Sequence, residues 1–225
     1  MANQLLKPAE FVEKQIIEGI IEGRYIQGAH LPAERILAGK LGVTRPTLRE
    51  ALQRLSRDGW VTIQHGKPTR VNHFLKEGGL KILSALVRHG SHLTKEMVSH
   101  LLEVRTAFLP DIASRAMQND RHSLLSFLKK AGALADDSAA YAIYDWKLQQ
   151  LMVELAANPV FNMIFNDFKP LYEVLAEEYF KSGEARNLSR AYYRRLAEAL
   201  EQRTPEISAI VENALAATFK IWQQA

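Results

Sequence analysis

Residues 33–70 read AERILAGKLGVTRPTLREALQRLSRDGWVTIQHGKPTR, and this stretch decides the fold of the first third of the chain. Gly42 follows the apolar run Ile36, Leu37, Leu41, and glycine readily takes the left-handed conformation that ends a helix. Thr44 then offers a side-chain oxygen as N-cap. Pro46 falls in the first turn, where its missing N–H costs nothing. Leu48, Leu52 and Leu55 recur at helical spacing and should pack inward, leaving Arg45, Thr47, Arg49 and Arg54 around the rest of the helix. A second helix with a basic, hydroxyl-bearing N-terminus suits the major groove, where guanidinium forks meet guanine edges and hydroxyls meet phosphates. The same pattern would also suit a solvated helix with scattered charge.

The residues that follow separate the two readings. Gly59 ends the helix, Trp60-Val61-Thr62-Ile63-Gln64 alternates and is rich in β-formers, His65-Gly66-Lys67-Pro68 has turn chemistry, and Thr69-Arg70-Val71 returns. A hairpin that only closed a small core would account for Trp60 and Ile63 but not for a basic tip. Lys67 and Arg70 should supply charge, and Gly66 should let backbone approach a ligand closely. The expectation is a winged helix.

Charge agrees. Residues 1–72 hold 11 Lys/Arg against 7 Asp/Glu, whereas residues 73–225 hold 18 of each, so the whole net charge of +4 sits in the segment read as DNA-binding. The 225 residues suffice for two ordinary domains, and 47% hydrophobic with 24% charged residues describes a globular chain. Cysteine is absent, which excludes a disulfide framework and thiol chemistry. No signal-peptide pattern opens the chain and no stretch approaches a membrane span, so a cytoplasmic location is expected.

The N-terminal domain is expected over 1–72, with a first helix at 8–23 whose apolar face is Phe11, Ile16, Ile17, Ile20 and Ile21, and with Arg24–Gly28 as a turn-like connection. Residues 73–79, HFLKEGG, read as a linker, and residues 80–225 as an all-α second domain. Its helices are expected at 80–90, from Thr94 to about Gln118, from Asp120 to about Gly132, at 138–156, 159–180 and 189–201, and from Pro205 onward. Pro110 should kink or divide the long one. Asp136-Asp137 should cap the helix at 138. The fold class is therefore mainly α, a winged helix-turn-helix with a small β-hairpin followed by an α-helical bundle.

The run LPAERILAGKLGVTRPTLREALQRLSRDGWVTIQHGKPTRV resembles the winged helix of the GntR family of bacterial transcription regulators, and within it the FadR-type, fatty-acid-responsive branch. The resemblance implies that Arg35, Thr44, Arg45, Thr47, Arg49, His65, Gly66 and Lys67 contact operator DNA, with the wing tip in the minor groove. It also implies a homodimer reading a palindromic double-stranded operator. At Pro46 the chain departs from the branch, which carries a hydroxyl residue there.

The same resemblance implies an effector cavity in the helical bundle, with a long-chain acyl-CoA as effector and Arg105, Tyr172, Tyr179, Tyr193, Thr218 and Trp222 near it. A smaller carboxylate held by Arg105 is the alternative. Many relatives hold a metal there with one Asp and three His. The matching positions here are Asp145, Gln149, Tyr193 and Leu215, so one ligand of four remains and neither metal nor cofactor is expected. None of the seven histidines lies beyond residue 122, and His89 and His92, flanking a Gly-Ser turn, read as solvated. At Leu215-Ala216-Ala217-Thr218 the chain lacks the glycine and acidic residue that the branch carries beside the ligand. No Gly-rich phosphate loop, nucleophile elbow or carboxylate pair argues for an enzyme.

Overall fold

The computed structural model describes residues 7–88 and 94–224. His89 and His92 lie outside them. The chain divides into two compact units, Met1–His92 and Leu93–Ala225.

In the first unit, α1 (Pro8–Ile21), α2 (Glu34–Leu41) and α3 (Arg45–Arg57) precede a hairpin of β1 (Val61–Thr62) and β2 (Arg70–Val71). Gly42 takes φ 68° as the cap of α2, and Thr44 caps α3 by accepting from the Thr47 N–H. Val12, Ile16, Leu37, Leu48, Leu52 and Leu55 are buried where the three helices meet. The hairpin is antiparallel, pairing Val61 with Val71 and Thr62 with Arg70. The connection expected at Arg24–Gly28 runs into a third edge for the hairpin: the Gly28 N–H donates to the Val71 carbonyl, His30 bridges Arg70 and the Leu31 N–H donates to the Thr69 carbonyl.

The stretch expected as a linker contains α4 (Phe74–Glu77), and Phe74 packs on Trp60 with ring centroids 5.2 Å apart. Helix α5 (Leu80–Arg88) follows within this unit, with Ile82 against Gly59 and Gly78 and Lys81 facing Asp58. A side chain at Gly78 would collide with the Phe74 carbonyl and with Ile82, so the close approach of α5 requires glycine there.

The second unit is helical among the described residues: α6 (Lys95–Leu128), a 3₁₀ turn (Lys129–Ala133), α7 (Ser138–Leu155), α8 (Pro159–Tyr179), α9 (Gly183–Gln202) and α10 (Ile207–Gln224). Pro110 lies inside α6 with helical dihedrals and does not divide it. Helical dihedrals fail instead at Asp120 (φ −150°, ψ 77°), whose carboxylate accepts from the Ser123 N–H and Oγ and so starts the following turns. Leu109, Pro110, Ile112 and Ala113 are all buried, and packing there offsets the ~3 kcal/mol that an interior proline costs. Helix α9 starts six residues before the expected Ser189 because Ser182 caps it, accepting from the Ala185 N–H. Asp137 caps α7 as expected, while Asp136 pairs with Arg186 at 2.8 Å. The core runs through Ile112, Leu124, Leu148, Met152, Leu196 and Val211. No described helix is long and apolar enough to cross a membrane.

Candidate DNA and effector sites

The first site forms where α2 and α3 begin. Capping by Thr44 holds its hydroxyl 2.9 Å from that of Thr47, so two hydroxyls share one turn at the positive end of the α3 dipole. Arg45 and Arg49 extend from the same turn into solvent, and both reach back to Glu34 of α2: Arg49 Nε lies 2.8 Å and Arg45 Nη2 3.7 Å from Glu34 Oε2. Arg35, next along α2, is exposed and makes no ion pair among the described residues. At the wing tip His65, Gly66 and Lys67 are exposed, Gly66 takes φ 70°, and the Lys67 N–H closes the turn onto the Gln64 carbonyl.

Two cations expected to face outward are engaged inside the unit. Arg54 pairs with Glu13 of α1 at 3.1 Å and with Glu50 at 2.6 Å, so it ties α3 to α1. Arg70 meets Glu77 through both guanidinium nitrogens, at 3.2 and 2.6 Å. That fork, with the His73 N–H, draws the Glu77 carboxyl down to about 2. Arg70 therefore fastens the wing to α4, and the free charge of the wing is Lys67.

The second site is a cavity of about 280 Å³ among α6, α7, α8, α9 and α10. Arg105, Tyr172, Tyr179, Thr218 and Trp222 all line it. Tyr179 donates to Thr218 Oγ1 at 3.3 Å and stacks on Trp222 with centroids 6.2 Å apart. Tyr193 is buried behind the wall, and its hydroxyl donates to Asp145 Oδ1 at 2.9 Å.

Sequence reasoning missed the hub of this wall. Asp145 also accepts from the Tyr172 hydroxyl and from Gln149 Nε2, each at 2.6 Å on Oδ2. Of the four positions expected from the metal pattern, Gln149 and Tyr193 are thus donors to Asp145 and Leu215 has no ligating atom, and a carboxylate already accepting three hydrogen bonds has little left to offer a cation. Burial, reinforced by the Asp145 charge, pushes the Tyr172 and Tyr193 phenols well above their ordinary value, so both remain donors. The signal was the four-residue spacing of Asp145 and Gln149, which places both on one helix face.

Arg105 is the unfilled group. Its guanidinium lies 5.9 Å from the Tyr172 ring centroid, and its buried Nε has no hydrogen-bond partner. Trp146, 4.9 Å from Tyr172, with Phe161, Phe165 and Phe168 makes the remaining wall apolar. A pocket of mainly apolar surface with a buried, unpartnered cationic donor suits a ligand that has an apolar body and an acceptor oxygen.

Comparison with known proteins agrees with both halves. Residues 8–71 match the family model "Bacterial regulatory proteins, gntR family", and residues 72–225 match "FadR C-terminal domain". The Fatty acid metabolism regulator protein of Shewanella pealeana is 39% identical over 217 residues, covering 96% of this chain and 91% of that protein. Its namesake from Enterobacter sp. is 41% identical over 198 residues, covering 88% and 83%. A solved structure titled "Lar controls the expression of the Listeria monocytogenes agr system and mediates virulence" superposes with TM-score 0.67 at 18% identity, covering 99% of each chain, and so supports the fold alone. A GntR match over the winged helix, a FadR C-terminal match over the helical unit and near-complete alignment to the curated relatives place this chain in the GntR family of bacterial regulatory proteins, with a FadR-type C-terminal domain.

Proposed function

We propose that this chain is a DNA-binding transcription regulator of fatty-acid metabolism, acting in the cytoplasm, whose hold on its operator is relieved by a long-chain acyl-CoA. The observation that carries the effector half is the cavity, an aromatic and aliphatic chamber with a buried, unpartnered donor, Arg105 Nε. An acyl chain would fill the apolar volume, and the thioester carbonyl would accept from Arg105. A homodimer would set two α3 helices and two wings on the half-sites of a palindromic operator. Effector binding would then shift the population between dimer arrangements with different half-site spacing.

The test is to titrate palmitoyl-CoA into a protein–operator complex while following DNA anisotropy, and into free protein by calorimetry. Operator release together with binding heat is expected; absence of both sinks the effector reading. The bare Arg105 Nε also supports a second reading, a smaller carboxylate effector. Organic acids that raise the melting temperature where acyl-CoA does not would favour it.

A further inference from the structure

The cavity lining carries three formally charged side chains, Arg105, Asp145 and Arg195. Asp145 is saturated by Tyr172, Tyr193 and Gln149, and Arg105 is half-buried beside Tyr172. Arg195 differs from both: it is exposed, and among the described residues it has neither ion pair nor hydrogen bond. Its neighbours on α9 are committed, Arg194 to Glu198 and Arg190 to Asp136.

Placement along the helices makes Arg195 a rim residue. Leu188, Tyr192 and Arg195 follow the helical repeat and all line the cavity, so they form one stripe of α9. Helices α9 and α10 pack together as a hairpin across the short turn after Gln202. Arg195 stands seven residues before the end of α9 and Asn213 six after the start of α10, so the two are level across the hairpin. Asn213 is likewise exposed and in the lining. Thr218 is five residues further along α10, roughly 8 Å from Asn213 along the axis. The other exposed lining residues include Val104 and Phe108 on α6, at 40% and 43% exposure. Solvent thus meets an apolar margin on α6 and a polar, cationic one on α9 and α10.

We infer that Arg195, with Asn213 beside it, anchors a phosphate of the effector's nucleotide head group while the acyl chain occupies the interior. Guanidinium matches phosphate oxygens in a two-point fork, and Asn213 supplies a neutral amide donor at the same level. The inference rests on the acyl-CoA reading and deepens it. It assigns head-group recognition to a residue that neither interior polar cluster includes.

The experiment measures calorimetric affinity for palmitoyl-CoA and for S-palmitoyl-pantetheine, which keeps the thioester but has no phosphate. The proteins are wild type, Arg195→Gln, Arg195→Lys and, as a control in exposed cationic charge outside the cavity, Lys147→Gln. Arg195→Gln should weaken palmitoyl-CoA about tenfold and leave S-palmitoyl-pantetheine unchanged, with partial recovery in Arg195→Lys and no effect of Lys147→Gln. Equal affinity of Arg195→Gln and wild type for palmitoyl-CoA overturns the assignment, and so does an equal loss for both ligands, which marks a structural role. If wild type binds neither ligand, the effector reading itself fails and this inference goes with it.

Discussion

Glu34 Oε2 sits 2.8 Å from Arg49 Nε and 3.7 Å from Arg45 Nη2, so one carboxylate at the start of α2 holds two of the arginines expected to read DNA. In free protein those guanidinium groups are paired, and approach to phosphate or base must displace the acid. Exposed pairs are worth only about 0.2–1 kcal/mol. Glu34→Gln should therefore tighten DNA binding, on operator and random duplex alike, by roughly two- to fivefold at low salt. Fluorescence anisotropy at two salt concentrations checks this. Weaker binding in the variant would mean that Glu34 positions the arginines rather than competing for them.

Base reading and backbone grip should separate by mutation. If Arg45 and Arg49 each make a bidentate guanine contact, replacing either by Ala should cost about 1–3 kcal/mol on the operator and much less on random DNA. Lys67, on the exposed wing tip, should act through charge, so Lys67→Ala should lower the slope of log affinity against log salt by about 1. Equal losses on operator and random duplex for all three would remove the case for base readout.

The hub at Asp145 predicts a stability effect. Tyr172→Phe removes one of three donors from a half-buried carboxylate, and a hydrogen bond to a charged group contributes about 1.5–3 kcal/mol. The helical unit should melt several degrees lower in thermal unfolding. Tyr179→Phe gives up only a 3.3 Å bond to the Thr218 hydroxyl and should cost less. Equal melting temperatures for the two variants would show that solvent replaces the phenol at Asp145.

The parts of the fold that local chemistry determines were legible. The left-handed Gly42, the Thr44 cap, Pro46 in the first turn and the turn at Gly66 each act within a few residues. What escaped depends on partners distant in sequence. Pro110 should break a helix by local rules, but buried packing from Leu109 to Ala113 carries α6 through. Arg54 and Arg70 look like free cations until Glu13 of α1 and Glu77 of α4 fold against them. Asp145 could be seen as the remnant of a metal pattern, but its saturation by Tyr172, Tyr193 and Gln149 arises only when three helices meet. The aromatic residues of the cavity were legible through family resemblance, because their spacing equally suits ordinary core.

The contact between Arg70 and Glu77 sets an acid limit on the wing. The Glu77 carboxyl, drawn down to about 2 by the Arg70 fork and the His73 N–H, is depressed relative to its usual value near 4.5. A depressed carboxyl stabilises the fold where the unfolded chain is already ionised, and that stabilisation fades as protons bind the native state. The contribution should be fully present above about pH 4.5 and decline as the pH falls toward 2. Glu77→Gln should accordingly lower the melting temperature of the winged helix at pH 7, and the gap from wild type should narrow steadily below pH 4.5. Thermal melts at half-unit intervals from pH 7 to pH 3 measure that gap. A difference independent of pH would mean that Glu77 acts through packing of α4 against the wing rather than through its charge.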